Sequence, residues 1–344
     1  LSAGSAVLLA DRASAKILND DTAVSVGDSI ATEGDSQTRF IDEFVPRTID
    51  GLHGSRGIHI GPDGNVYVTT SHGPWPGAVL RYDVNSGSFI DVFAVHHELD
   101  AAKDLEFGPD GNLYVTDNNN HTVVRFDGIT GDFMDVFVAP RSGGLFVPRG
   151  LTFGSDDNLY LASGNTDEIL RYQGPFGTSP GAFIDAFVTA GSGGMTSPTA
   201  PAFGPDGNLY VADGAHAVPN SILRYDGATG GFIDAFVPSG TAGLTLAPTG
   251  GLIFGPDLNG DTEPDMFVSN GGPDEVLVFN GVTGELLQTY VTSGSGGLDD
   301  PKGLTFDGEG NFLVVSNGTD SIFRYGPNSK AAFTVDLTSA NGQS

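Results

Sequence analysis

The sequence predicts an all-β protein, a six-bladed β-propeller with short β-strand extensions at both ends. Three observations predict this fold. The phrase FGPDGNLYV stands unchanged at residues 107–115 and 203–211, and looser copies recur with a period of about 50 residues, which is typical of propellers. Each copy is followed by an apolar phrase such as VLRYD and then by one such as FIDAFV. No segment has the periodicity of a helix longer than a turn or two.

Each repeat unit divides into four short strands. A segment such as GLTF at residues 150–153 precedes a turn, which in several units contains an Asp-Gly pair suited to a tight hairpin with positive φ. The apolar half of FGPDGNLYV, the VLRYD-like phrase and the FIDAFV-like phrase supply the next three strands, separated by Gly, Pro, Asn and Asp. Four strands in each of six units make six blades, whose radial closure leaves only short edges.

The order of the strands predicts how the ring closes. The earliest copy of the fourth strand, residues 40–45, precedes every copy of the first strand. We therefore expect it to complete the last blade by pairing with the third strand at residues 322–325. The propeller then spans residues 39–328, between an N-terminal segment 1–38 and a C-terminal segment 329–344.

Both flanking segments resemble parts of one family. Residues 15–36, AKILNDDTAVSVGDSIATEGDS, resemble the junction between two Calx-beta repeats, and residues 331–343, AAFTVDLTSANGQ, resemble the segment after EGDS in that family. The resemblance implies a Calx-beta domain interrupted by the propeller, with strands of that type on either side. A weaker second calcium site is implied at the acidic residues Asp20, Asp21, Asp28, Glu33 and Asp35.

The segment DLNGDTEPD at residues 257–265 has the pattern of a calcium loop. It places oxygen-bearing side chains at alternate positions, and Ca²⁺ takes roughly six to eight oxygen ligands. The segment resembles the DxNGDGxxD loop of FG-GAP and integrin-type propeller repeats, with Thr262 in place of a glycine. This resemblance implies calcium as cofactor; the alternative is an acidic hairpin without metal. The implied ligands are Asp257, Asn259, Asp261 and Asp265, with the backbone carbonyl of Glu263.

Composition restricts the partners and the setting. The chain has 15 basic and 43 acidic residues and a formal charge of −28, which argues against nucleic acid and anionic membranes as partners. It has no cysteine and no apolar segment approaching the roughly 20 residues of a membrane span. The chain starts at Leu1, and we expect any export signal to have been removed or to lie upstream. We interpret the protein as extracellular, either secreted or at the cell surface.

Four cationic side chains occupy equivalent positions, just before the first strand of their blades. Asparagines and aspartates come after the second strands on the same expected face. Such a ring would bind an anion, such as a uronic acid or phosphate, or would form internal salt bridges that fill a narrow channel. We favour the salt bridges. The four residues are Arg56, Lys103, Arg149 and Lys302.

The flanking strands favour a structural or adhesive function. Unpaired strand edges pair readily with another chain. If the tail of one molecule completes the N-terminal strands of its neighbour, the contact is head-to-tail and produces a filament. Self-association through the terminal strands is therefore the expected partner contact, and the tail residues expected to be exchanged are Phe333, Val335 and Leu337. The alternative is that the two flanking segments pair with each other within one chain, which gives a monomer with a small β appendage.

The alternative function is enzymatic. The repeats resemble the NHL group of six-bladed propellers, which includes lyases and binding modules. This resemblance implies a secreted lyase or hydrolase of a lactone or acidic polysaccharide, with its site at the mouth of the central channel. Glu106, Asn118 and Asp213 loosely resemble the carboxylate and two asparagines that surround a metal in gluconolactonase-like relatives. We expect Glu106 to be ion-paired with Lys103 instead, and the sequence favours the structural function because no full catalytic set is evident.

Overall fold

The computed structural model describes residues 38–47, 51–75, 77–214, 220–246 and 250–327. Within these ranges the chain forms six antiparallel sheets of four strands each, connected by turns and four short 3-10 turns. The described part of the chain has no helix long and apolar enough to cross a membrane. The all-β propeller expected from the sequence is confirmed. The Calx-beta-like segments and residues Phe333, Val335 and Leu337 lie outside the described residues.

The six sheets are the blades, and the strands of each blade run in order from the channel outward. Blade 1 has β2 (Ile58–Ile60), β3 (Val66–Thr70), β4 (Ala78–Tyr82) and β5 (Phe89–Val95). Blade 2 has β6 (Ala102–Phe107), β7 (Leu113–Asp117), β8 (Thr122–Phe126) and β9 (Phe133–Val138). Blade 3 has β10 (Pro148–Phe153), β11 (Leu159–Ser163), β12 (Glu168–Tyr172) and β13 (Phe183–Val188). Blade 4 has β14 (Pro198–Phe203), β15 (Leu209–Asp213), β16 (Ser221–Tyr225) and β17 (Phe232–Val237). Blade 5 has β18 (Leu252–Phe254), β19 (Met266–Asn270), β20 (Glu275–Phe279) and β21 (Leu286–Val291). Blade 6 has β22 (Pro301–Phe306), β23 (Phe312–Ser316), β24 (Ser321–Pro327) and β1 (Thr38–Val45).

The ring closes as the strand order predicts. Strand β1 pairs antiparallel with β24, with Phe40 opposite Tyr325 and Val45 opposite Ile322. The pairing begins at Thr38, slightly before the expected start, because Thr38 still lies opposite Pro327. The last blade is therefore built from both ends of the propeller sequence.

The repeated hairpin phrase has a structural cause. In blade 1 the Asp63 carboxylate accepts hydrogen bonds from the backbone N–H of Asn65 at 3.0 Å and from the Tyr67 hydroxyl at 3.0 Å, while Gly64 has a φ of 81°. Both polar side chains of the Asp-Gly-Asn turn are thus used locally, since Asn65 Nδ2 also donates to Asp63 Oδ2 at 2.8 Å. Tyr67 then packs edge-to-face against Phe107 of the next blade at 5.0 Å. The phrase therefore fixes both the hairpin and the joint between blades.

The repeated arginines of the third strands hold the outer strands in place. In blade 4 the Arg224 guanidinium donates to both oxygens of Asp234, with Nη2 at 2.6 Å from Oδ2, and lies 4.9 Å over the ring of Phe236. These side chains are architectural. The same pairing links Arg81 with Asp91, Arg125 with Asp135, Arg171 with Asp185 and Arg324 with Asp42.

Candidate functional site

The inner strands of the six blades surround a central cavity of about 510 Å³. The loops that lead into the inner strands lie on the same face as the loops that come after the second strands. The carboxylate of Asp117, at the end of β7, shows this, because it accepts the backbone N–H groups of Asp100 and Ala101 just before β6. We call this face the mouth of the channel.

Neighbouring inner strands lie side by side in matching register. A Cβ on Gly57 would lie 2.9 Å from the Cα of Asp104 in the next blade. One blade further, the backbone N–H of Leu151 donates to Asp104 Oδ2 at 3.2 Å. Residues at equivalent positions of the six repeats therefore reach the same depth in the channel.

This register reveals an asymmetric channel wall. At the level of Gly57, blade 2 has Asp104, whereas the other blades have only glycine or alanine. Two residues further along each inner strand, deeper in the channel, blade 1 carries an imidazole and blade 2 a carboxyl group. Blades 3 and 6 carry hydroxyls at this level, and blades 4 and 5 carry apolar side chains. In blade order the residues at this level are His59, Glu106, Thr152, Ala202, Ile253 and Thr305.

The two carboxyl groups on the inner strand of blade 2, those of Asp104 and Glu106, both have raised pKa values, but the rise differs between them. Burial, together with the charge of Asp104, raises the pKa of Glu106 to about 8. Burial also raises the pKa of Asp104 to about 6, although the backbone N–H groups of Leu105 and Leu151 stabilise its anion. At neutral pH the Glu106 carboxyl therefore carries a proton, while the Asp104 carboxyl is largely ionised.

The His59 side chain can accept a proton, whereas the Glu106 carboxyl can donate one. Burial lowers the pKa of its imidazole, which is therefore neutral at neutral pH. Its Nδ1 lies 2.7 Å from the carbonyl oxygen of Ile60, and since a carbonyl only accepts, Nδ1 carries the proton. The lone pair is left on Nε2. The channel wall thus contains a proton donor and a proton acceptor on the inner strands of neighbouring blades, the two types of group that acid–base catalysis uses.

The four cationic side chains before the first strands fall into two pairs by their surroundings. Lys302 donates to Asp300 Oδ1 at 2.6 Å, and Arg149 donates to Ser197 Oγ at 2.8 Å; both cationic side chains are buried. The contact of Lys302 is an internal salt bridge of the kind that the sequence favoured, and that of Arg149 is an internal hydrogen bond. Arg56 and Lys103 line the channel.

The expected ion pair between Glu106 and Lys103 does not form. The charged neighbours of Lys103 are Arg56 and Asp117, and burial and Arg56 together lower its pKa to about 8. Glu106 instead accepts a hydrogen bond from the backbone of Phe153. The reason is depth, because three residues of an extended strand separate the two side chains by about 10 Å along the channel.

The loose resemblance to a gluconolactonase metal set has little geometric support. The Asp213 carboxylate is buried and accepts the backbone N–H groups of Thr196 at 3.0 Å and Ser197 at 2.6 Å, so it ties down a loop at the mouth. In the described ranges, no group of three or more His, Asp or Glu side chains is arranged to hold a metal ion. Glu106 is the member of that trio that lies in the channel wall.

The predicted calcium loop is a tight hairpin insertion between β18 and β19. Asp257 accepts the backbone N–H groups of Gly260 at 2.6 Å and Thr262 at 2.8 Å, and buried Asp265 accepts that of Leu258 at 2.7 Å. Burial raises the pKa of Asp265, and the charges of Asp261 and Asp257 add to this rise. Asp257 and Asp261 therefore lie close enough to Asp265 to disfavour its charge, although hydrogen bonds already engage oxygens of all three carboxylates.

Thr262, which stands where the calcium-loop pattern has a glycine, adopts a backbone conformation typical of glycine. Its φ is 77°, in the left-handed region that favours glycine. A β-branched residue is strained there. The threonine in place of glycine thus costs the loop stability.

Comparisons with known proteins agree on the propeller. The NHL repeat model matches residues 103–126, the segment that contains Asp104 and Glu106. No curated protein sequence matches the chain. Its fold is similar to a gluconolactonase from Xanthomonas campestris, at 15% identity over 85% of this chain and 95% of that one, with a TM-score of 0.58.

Two further similar structures are a lyase and a binding protein. Virginiamycin B lyase from Staphylococcus aureus is 16% identical over 84% of this chain and 98% of that chain, with a TM-score of 0.53. An auxiliary nutrient binding protein from Bacteroides ovatus is 14% identical over 81% of this chain and 69% of that chain, with a TM-score of 0.60. These likenesses show the fold of a six-bladed β-propeller, and the matched segment shows one NHL repeat in blade 2.

Proposed function

We propose that the protein binds a small molecule in its central channel and cleaves it by acid–base chemistry, as a lyase or hydrolase. The observation that supports this most is the asymmetric wall, where His59, Asp104 and Glu106 replace the small or neutral residues of the other blades. A structural propeller has no need for two buried carboxyl groups and a buried imidazole in its channel, since each lowers stability unless it is satisfied. Such groups cluster at functional sites.

The chemistry is set by the protonation states. Protonated Glu106 would donate its proton to a leaving oxygen, while Nε2 of neutral His59 would accept a proton from a carbon or from an attacking water. Proton removal from carbon gives elimination, and proton removal from water gives hydrolysis. Both reactions need the same two groups, so the residues support a reaction class that includes lyases and hydrolases.

The shape and charge of the channel favour a lactone as substrate. A cavity of about 510 Å³ encloses a molecule of one or two rings, but not a polysaccharide. Ala202 and Ile253 offer an apolar surface opposite the acid–base pair, and Arg56 and Lys103 near the mouth would attract a carboxylate substituent. The name gluconolactonase among the similar structures accords with a lactone, and the name virginiamycin B lyase accords with the lyase alternative.

The structural or adhesive function stays a prediction, because the exchanged residues Phe333, Val335 and Leu337 lie outside the described residues. A secreted or cell-surface location is likewise part of the proposal. The likeness to auxiliary nutrient binding proteins of Bacteroides is compatible with it.

Calcium binding by the loop at residues 257–265 also stays a proposal. Its donor set of carboxylates, an amide and a backbone carbonyl is of the kind that Ca²⁺ prefers. The three carboxylates do not converge as a metal-holding group among the described residues. The support is that Asp257 and Asp261 lie near Asp265 and raise its pKa, an effect that a bound cation would offset. The loop lies at the hairpin after β18, so it would stabilise blade 5 rather than take part in the reaction.

Ligand binding tests the channel site. Two one-ring lactones that fit the cavity, gluconolactone and an analogue with a free carboxylate, are titrated calorimetrically into the full chain, Glu106→Thr, His59→Thr and the control Thr305→Val. Threonine is the residue that blades 3 and 6 already carry at this level, so both variants should fold. We expect binding by the wild type and the control and loss of binding in the two threonine variants. Equal binding by all four proteins would place the ligand site elsewhere, and no binding by the wild type would exclude these two compounds as ligands.

A further inference from the structure

A groove at the mouth of the channel, separate from the acid–base pair, is built around Trp75. Blade 1 connects its second and third strands by residues 71–77 and blade 4 by residues 214–220, whereas the other four blades use four residues each, such as 118–121 in blade 2. Insertions into individual units of a repeat protein map to loops on one face, which is often the binding face. The insertion of blade 1 contains Trp75, the single tryptophan of the chain, whose side chain is 42% exposed.

The indole ring is held in place from below. A Cβ on Gly51 would lie 2.8 Å from Trp75 Cδ1, and Gly51 has a φ of 98°, so only glycine fits under the ring without strain. Pro74 precedes the tryptophan and lines the same groove. An exposed aromatic ring on a fixed support presents its surface to ligand without losing side-chain freedom on binding.

The opposite wall is formed by the loop between β5 and β6 and is also preorganised. His96 stacks on Phe133 at 3.7 Å with an interplanar angle of 10°, and His97 packs against His96 at 4.1 Å. Asn120 and Asp100 complete the wall. The groove encloses about 470 Å³ and thus combines flat rings with polar groups.

A buried carboxylate positions those polar groups. Asp117 accepts the backbone N–H of Asp100 at 2.7 Å and the side-chain amide of Asn120 at 2.9 Å. The Asp100 carboxylate accepts from Asn119 Nδ2 at 2.8 Å and retains further lone pairs, since a carboxylate has several. Asp117 thus acts as a positioning residue for the groove.

We propose that this groove binds a neutral sugar ring. The apolar C–H face of a pyranose stacks on an indole ring, and sugar hydroxyls both donate to carboxylates and accept from amides and imidazoles. The formal charge of −28 disfavours phosphates and nucleotides. The groove carries no lysine or arginine among its described lining residues, so it is not built for a polyanion. This site does not depend on the acid–base function of the channel.

Because Trp75 is the single tryptophan, its fluorescence reports on the groove alone. The full chain is titrated with methyl glucoside, methyl galactoside, methyl mannoside and their short oligomers, and with a proline-rich peptide and inorganic phosphate for comparison. We expect a sugar to shift the emission to shorter wavelength and to protect Trp75 from quenching by acrylamide. Neither the peptide nor phosphate should do so.

Variants separate the groove from the channel. In calorimetric titrations, Trp75→Ala should weaken sugar binding by about tenfold or more, and Trp75→Phe should restore part of the affinity. Phe176→Ala, which removes an aromatic side chain that is 66% exposed elsewhere on the surface, is the matched control and should bind as wild type does. Glu106→Gln should also bind the sugar normally. An unchanged emission with every sugar, unaltered affinity in Trp75→Ala, or protection by the peptide alone would each overturn the proposal.

Discussion

The Arg324 guanidinium donates two hydrogen bonds to the Asp42 carboxylate, from Nε to Oδ1 at 3.0 Å and from Nη2 to Oδ2 at 2.5 Å, although 282 residues separate them. The same pair occurs between Arg224 and Asp234 in a blade whose strands are consecutive in sequence. Arg324 also lies 4.8 Å over the ring of Phe44. The closing blade therefore uses the same contacts as the others, but without a covalent connection between its last two strands.

Ring closure by β1 predicts the effect of two deletions. Removing residues 1–47 should unfold or aggregate the protein, because β24 would lose its partner and expose a long apolar edge. Removing residues 1–36 keeps β1 intact and should preserve a cooperative thermal transition. Circular dichroism and light scattering measure both. A soluble, cooperatively folded protein after the longer deletion would show that another segment closes the ring.

The protonation of Glu106 predicts how stability depends on pH. Its ordinary pKa is 4.5, and in the folded protein it is about 8, so between these values the folded state binds more protons than the unfolded state. The free energy of unfolding should therefore fall as pH rises through this interval. Glu106→Gln should flatten that fall, because it removes the titrating carboxyl. A difference of one pH unit between the folded and unfolded pKa corresponds to about 1.4 kcal/mol of unfolding free energy.

Denaturant unfolding at several pH values measures this difference. Glu285→Gln, at an exposed residue of the rim, is the matched control and should leave the pH profile of the wild type unchanged. If Glu106→Gln and the wild type lose stability in parallel as pH rises, then Glu106 is ionised in the folded protein and cannot act as the proton donor.

Calcium binding predicts a metal-dependent melting temperature. Ligand binding to the folded state stabilises it by about 2.7 kcal/mol when free Ca²⁺ is a hundredfold above Kd, so EDTA should lower the melting temperature. Asp261→Ala should abolish the effect, whereas Asp206→Ala, in the ordinary hairpin of blade 4, should lower stability but keep the response. Thr262→Gly should stabilise the protein with and without calcium, because it removes strain. A melting curve indifferent to EDTA would leave an acidic hairpin without metal.

The tail predicts the state of association. If Phe333, Val335 and Leu337 are donated to a neighbouring molecule, truncation of residues 333–344 should abolish oligomers without altering the melting transition of the propeller. Analytical ultracentrifugation of the full chain and of the truncated chain measures the state of association. The same oligomer after truncation would exclude strand donation by the tail.

The repeat pattern is sufficient to predict the fold, because each element of the repeated phrase has a local cause. Asp63 and Gly64 form the turn, Tyr67 joins two blades, and the arginines bind the outer strands. Closure is predictable from strand order alone. Strain in the loop at Thr262 is also predictable, since one residue of a known turn pattern has changed.

The channel site is harder to predict, although its signal is present in the sequence. Proximity along the strand predicts an ion pair between Glu106 and Lys103, but depth in the channel separates them. An alignment of the six inner strands shows His59, Asp104 and Glu106 as departures from small or neutral residues. The sequence does not supply the matching register of the inner strands, which brings those departures together on one side of the channel.

Turnover of a lactone by the full chain tests the channel site most directly. Wild type, Glu106→Gln, His59→Thr and the control Thr305→Val are assayed for kcat/KM across pH. We predict that the control keeps the wild-type value and that each acid–base variant loses about a hundredfold or more. Wild-type activity should also fall as pH rises past about 8, where Glu106 loses its proton. A folded Glu106→Gln protein that turns over the lactone at the wild-type rate would contradict the proposed function.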